Sequence, residues 1–145
     1  MKPITVFLAD DNRAVRKGFR KILEHEDDLE VVGEAKDGRQ TVAMVKRLHP
    51  EVVLMDIAMP LLNGLNATRE ILQAAPATKV IMLSAHSDEV YVEEATKSGA
   101  MGYLIKQSAV EVVCGAVREV QSGHTFYSAS IPSRLHKRNG KKRVG

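Results

Sequence analysis

A single cysteine, Cys114, excludes an internal disulfide in this chain of 145 residues and leaves no thiol cluster to hold a metal. A reducing cytosol fits that usage, and Cys114, set among Val112, Val113 and Ala116, reads as a buried, inert thiol. No apolar run approaches the roughly 20 residues that a membrane helix needs. Met1-Lys2-Pro3 leads straight into an apolar segment, so no signal peptide is expected. Neither histidine nor cysteine recurs at metal-ligand spacing. No Gly-x-Gly-x-x-Gly or Walker-type loop follows the first apolar run. Asp10-Asp11-Asn12-Arg13 stands there instead, and its acids would repel a diphosphate. A nucleotide-binding module is thereby excluded, and no internal repeat is present.

Positive charge is also scarcer than the net value of +3 suggests. Arg134, Lys137, Arg138, Lys141, Lys142 and Arg143 follow residue 133 with no acid among them, and removing those six leaves a body of −3. The body therefore gives no ground for nucleic-acid binding. Ser128–Ser133 reads as a linker, and Arg134–Gly145, with one leucine, one valine and no aromatic residue, is expected to be mobile. The length suits one domain that buries about 68–70% of its unfolded surface.

What is present is strict alternation. Strand-like runs fall near 4–9, 30–35, 51–56, 79–84 and 101–105, and helical periodicity near 13–25, 38–48, 63–74, 88–98 and 108–122. Val15, Phe19, Ile22 and Leu23 share one helical stripe, as do Thr41, Met44, Val45 and Leu48. Ser108-Ala109-Val110-Glu111 predicts a capping box at the start of the fifth helix. This pattern predicts an α/β fold, a flavodoxin-like five-stranded parallel sheet of order 2-1-3-4-5 with helices on both faces.

In that order strands one and three are neighbours at the switch point. Asp56 ends the buried-looking run Val52-Val53-Leu54-Met55, and Asp10 and Asp11 follow Ile4–Ala9, so three acids converge at one edge. Two like charges about 4 Å apart repel by about 4 kcal/mol at an effective dielectric of 20, so the cluster asks for a cation. All-oxygen donors suit magnesium better than zinc. Ser84 ends the fourth run and Lys106 follows the fifth, adding a hydroxyl and an ammonium to the same crevice. Together these groups describe phosphoryl transfer, with Asp56 the nucleophile and the acidic pair on the metal.

Asp10-Asp11, Met55-Asp56 with Met59-Pro60 and Gly64, Ser84-Ala85, and Gly99-Ala100-x-Gly102-Tyr103-Leu104-x-Lys106 resemble the receiver domain of bacterial two-component response regulators. The stretch from Gly99 to Lys106, followed by Ala116-Val117-Arg118-x-Val120-x-x-Gly123, is similar to the NarL/FixJ (LuxR-type) branch. The resemblance spans residues 4–122 and implies a CheY-like receiver at 1–123, with a linker and basic tail at 124–145. It implies that Asp56 accepts a phosphoryl group from the phosphohistidine of a sensor histidine kinase. Asp11, Asp56 and the Ala58 backbone carbonyl would bind Mg2+, with Asp10 acting through water. Ser84 and Lys106 would each hold a phosphoryl oxygen, and Tyr103 would be a switch that turns inward when Ser84 moves. Helix four, strand five and helix five would form the responsive surface.

The output expected is altered self-association, as a homodimer, or control of a DNA-binding domain; DNA would be touched only through that domain. A cytoplasmic switch without small-molecule turnover is expected, not an enzyme. Two departures stand out. Gln107 replaces the proline that many receivers carry after the lysine, and no helix-turn-helix follows, so a cut fragment and a stand-alone receiver both remain open. A phosphatase of the haloacid-dehalogenase type also uses an aspartate nucleophile and magnesium, but places it in an Asp-x-Asp pattern on the first strand. His86, two residues after Ser84, is expected at the rim, where its size and protonation would affect water access to phosphorylated Asp56.

Overall fold

The computed structural model describes residues 2–137. Five strands, β1 (Ile4–Ala9), β2 (Leu29–Ala35), β3 (Val52–Asp56), β4 (Lys79–Ser84) and β5 (Gly102–Ile105), alternate with five helices. The helices are α1 (Arg13–Glu24), α2 (Gly38–Leu48), α3 (Gly64–Ala74), α4 (Glu89–Ser98) and α5 (Lys106–Gln121). All strands pair in parallel, in the order β2-β1-β3-β4-β5 expected from the alternation.

Because successive residues of a strand face opposite sides, the strands need apolar residues at every position once both faces are covered. Phe7, Val53, Met55, Val80, Met82 and Tyr103 face α2, α3 and α4, where Val45, Ile71 and Val92 meet them. Val6, Leu8, Leu54, Ile81, Leu83 and Leu104 face α1 and α5, against Phe19, Leu23, Val113 and Val117. Three helices start at the carboxyl edge on side-chain caps: Asn12 accepts from Val15 N–H, Asp37 from Gln40 N–H and Asn63 from Asn66 N–H. Each cap satisfies an otherwise orphaned amide, which sets where the chain turns from strand into helix.

Two expectations are corrected. α5 begins at Lys106, two residues early, with Ile105 at the cap and no side-chain cap bond, so the capping box at Ser108 does not form. A proline at 107 would disfavour helical backbone at Lys106; Gln107 permits it, and Ser108 falls inside the first turn. The segment beyond Gly123 is not all linker. Gly123, at φ 95°, ends α5, and Phe126–Tyr127 forms a sixth parallel strand, β6, beside β5. Ser128 and Ile131, inside the stretch read as a linker, are buried. A two-residue strand is too short to show periodicity, which is why the pattern passes over it. Arg138, Lys141, Lys142 and Arg143, and the mobility expected of them, lie outside the described residues. The remaining element ends fall within one residue of those expected.

α3 starts hard against the end of β3. A Cβ at Gly64 would lie 2.3 Å from the Asp56 carbonyl oxygen, and the Gly64 amide donates to Ile57 O at 2.8 Å. Gly64→Ala is therefore expected to lower stability by about 1–3 kcal/mol in urea denaturation, the range of overpacked sites. An unchanged midpoint would mean that the loop after β3 yields freely.

Candidate functional site

Register builds the site. β1 pairs with β3 so that Ala9 stands opposite Met55, and the next residues, Asp10 and Asp56, emerge side by side. β4 pairs with β3 through Asp56 and Leu83, and with β5 through Ser84 and Ile105. Asp10, Asp56, Ser84 and Lys106 thus leave one carboxyl edge, as the sequence led us to expect.

Carboxylate oxygens of Asp10, Asp11 and Asp56 lie within 4.8 Å of one another. Asp10 and Asp56 are buried, 2% and 3% exposed, while Asp11 is open to solvent. Asp10 Oδ1 accepts from Asn12 N–H at 2.8 Å, and Asp56 Oδ1 accepts from Ala58 N–H at 3.1 Å. The Lys106 ammonium sits 2.9 Å from Asp10 Oδ2 and 3.3 Å from Asp56 Oδ2. Even so, Asp10 Oδ2 accepts no well-directed hydrogen bond.

Burial, and then the Asp10 charge, push the Asp56 carboxyl from 3.8 up to about 6, against the opposing pull of Lys106 and the Ala58 amide. Burial works against the Lys106 charge, yet Asp10 and Asp56 together hold its pKa above the ordinary lysine value. One ammonium does not balance three carboxylates. The residues fit magnesium: the donors are all hard oxygens, and the buried Asp10 Oδ2, met only by the ammonium it shares with Asp56, keeps acceptor capacity at the centre of the cluster.

Ser84 and Tyr103 meet through one backbone. His86 N–H donates to Ser84 Oγ at 3.0 Å, and Tyr103 OH, on a ring with no exposed surface, donates to His86 O at 2.6 Å. Burial first, with charge from Asp88 and Tyr91, raises the Tyr103 pKa against a bond with Ser84. The His86 ring itself is exposed and stacks on Tyr91 at 5.0 Å, so its backbone rather than its imidazole joins the site.

Sequence reading missed Arg16. Its Nη1 donates to the Asp10 carbonyl at 2.5 Å and its Nε to Glu34 at 2.9 Å, bracing the turn that carries the acidic pair. Burial opposes the Glu34 charge, but bonds from Arg20 and Arg16 hold its pKa below the usual carboxylate range. Two arginines four residues apart on one helix face, followed by an acid near the end of the next strand, were the available signal.

Comparison with known proteins then decides the family. The response regulator receiver domain family matches residues 6–118. The chain belongs to that family. The family is one of signal-transduction receivers rather than of enzymes. Relatives include the transcriptional regulatory protein DegU of Brevibacillus brevis, 39% identical over 92% of this chain and 57% of its own length. The response regulator UvrY of Escherichia coli K12 is 39% identical over 91% of this chain and 61% of its own. The chain thus spans less than two thirds of the length of these relatives.

Solved structures agree with the receiver fold. A LuxR-family response regulator from Aurantimonas sp. SI85-9A1 superposes with a TM-score of 0.85 at 28% identity, over 90% of this chain and 93% of that one. The isolated REC domain of RcsB from Salmonella enterica serovar Typhimurium, with the phosphomimetic BeF3-, gives 0.83 at 27% identity, over 94% and 100%. The receiver is of the NarL/LuxR type. Among the described residues no helix is long and apolar enough to cross a membrane.

The raised Asp56 pKa has a sign that can be tested in chelator-treated receiver. Between about 4 and about 6 the native state holds a proton that the unfolded state has lost, so stability falls as pH rises through that window. Asp56→Asn removes the effect. Its advantage over the unmodified chain in urea unfolding is expected to grow from pH 4 to pH 6 and level off at on the order of 2 kcal/mol. A difference that does not vary with pH would contradict the assignment.

Proposed function

We propose that Asp56 is the phosphoacceptor of a signalling switch. A carboxylate oxygen of Asp56 attacks the phosphorus of a kinase phosphohistidine; the P–N bond breaks, the imidazole leaves, and an acyl phosphate remains. The observation that carries this reading is a buried Asp56, at the sheet edge, within reach of two further acids and 3.3 Å from an ammonium. A pKa of about 6 leaves Asp56 mostly anionic at neutral pH, as attack requires.

Lys106, already turned toward Asp56, is suited to hold a phosphoryl oxygen, and the Ser84 hydroxyl another. Asp11, Asp56 and the Ala58 carbonyl would hold Mg2+, with Asp10 contributing through water; the ion supplies charge neutralisation at the phosphoryl oxygens. Tyr103 is the switch residue in this reading, and its ring lies inward here, linked to Ser84 through His86. Asp10 and Asp11 are adjacent and follow β1, while Asp56 ends β3, so a haloacid-dehalogenase reading lacks support beside the family match.

Residues 1–123 form the receiver in this proposal, and the chain beyond leads toward a DNA-binding output domain of the kind that transcriptional regulators carry. Similarity to transcriptional regulatory proteins supports transcription regulation as the output, exerted through that domain and through homodimer formation. The partner upstream is a sensor histidine kinase.

Intact mass after incubation with acetyl phosphate tests the proposal. One phosphoryl adduct that requires magnesium and disappears in Asp56→Asn is the expected result. An adduct that persists in that variant would move the chemistry to the acidic pair.

A further inference from the structure

Residues 124–137 are tied to the receiver along their length. Phe126 N–H donates to Met101 O at 3.1 Å and Ser128 N–H to Tyr103 O at 2.9 Å. Ile105 N–H donates to the buried Ser128 Oγ at 2.8 Å, one residue before Lys106. Ile131 is 3% exposed and packs in the same apolar cluster as Tyr103 and Val92 of α4. Arg134 pairs with Glu89 at one end of α4, and Lys137 Nζ reaches Gly99 O, at the other end, at 3.4 Å. The segment is also braced on itself: Tyr127 stacks on His136 at 4.1 Å, and its hydroxyl accepts from Lys137 N–H at 2.6 Å. It is a folded strap along β5 and α4.

We propose that the face formed by β5 and α4 is a binding surface whose ligand is the chain's own 124–137 segment, and that its occupancy is coupled to the phosphoryl group on Asp56. The inference rests on the functional reading above and names the element that carries the signal outward. Two short routes join strap and site. Ser84 Oγ meets His86 N–H, His86 O meets Tyr103 OH, and Tyr103 O meets Ser128 N–H. Lys106 follows Ile105, whose amide the Ser128 hydroxyl holds.

Phosphorylation replaces the single carboxylate charge of Asp56 with the about −1.5 to −2 carried by a phosphoryl group, set farther out, and draws on Ser84 and Lys106, at the end of β4 and the start of α5. The docked strap holds Ile105, next to Lys106, from the outer edge, and Ile131 packs in the cluster that encloses the Tyr103 ring. Strap docking and the phosphoryl group therefore favour one arrangement of Lys106 and Tyr103, and by linkage each strengthens the other. A docked strap also moves the point where the chain leaves the receiver, from Gly123 at the end of α5 to Lys137 beside the end of α4.

The test uses the full chain. Intact mass with acetyl phosphate and magnesium first establishes the Asp56 adduct, and beryllofluoride with magnesium then serves as the stable mimic for hydrogen exchange. Amides of Ser128, Ile131 and Lys137 are expected to exchange at least about fivefold more slowly in the mimic-bound state. Ser128→Ala and Ile131→Ala, checked for folding by circular dichroism, are expected to shorten the acyl-phosphate half-life by about fivefold or more. Should Ile131→Ala fail to fold, Ser128→Ala carries the comparison. An adduct that forms while strap exchange stays the same or accelerates overturns the coupling and leaves the functional reading intact, as does an unchanged half-life in the folded variants. Absence of any adduct overturns both.

Discussion

The Lys106 ammonium between Asp10 and Asp56 is the contact on which the rest of the receiver depends. At 3.3 Å and an effective dielectric of 20, its attraction to one carboxylate is on the order of 5 kcal/mol before desolvation is subtracted. That attraction is set against the repulsion of acids held within 4.8 Å of each other. The arrangement is tolerable when protonated or when a cation is added, and least favourable as three bare carboxylates. A site so poised responds strongly to any change in its charge, and a phosphoryl group is such a change.

Parallel pairing makes this contact unavoidable. With β1 and β3 adjacent and Ala9 opposite Met55, Asp10 and Asp56 have nowhere to go but side by side. Gly64 lets α3 begin against the Asp56 backbone, where any side chain would push β3 away. Arg16, anchored by Glu34, closes the opposite side by taking the Asp10 carbonyl. The acids are held by backbone geometry rather than by attraction for one another, so the fold stores the repulsion that the function uses.

Much of this was legible in the residues. Near-continuous apolar runs in β1, β3 and β4 signalled a sheet covered on both faces, and acids after β1 and at the end of β3 marked the edge where Asp10 and Asp56 meet. What escaped was structure made by few residues or by distant partners. The capping box at Ser108 looked right locally, but Lys106 was free to join the helix because Gln107 is not proline. β6 holds two residues, and Ile131 is a single apolar side chain in a polar stretch, too little for any period to register. Arg16 acts through a backbone carbonyl and an acid on another strand, and side-chain spacing does not reveal such a partnership.

The strap extends the same logic outward, from the charge at Asp56 through backbone contacts to the edge of the sheet. Repulsion and burial at Asp56 are the source of that charge sensitivity. Carbon-13 NMR titration of the Asp56 carboxyl, assigned with Asp56→Asn, measures this directly. In chelator the midpoint is predicted near 6, and magnesium should move it well below that value. A midpoint near that of an ordinary aspartate without metal, or one that magnesium leaves in place, would contradict the account.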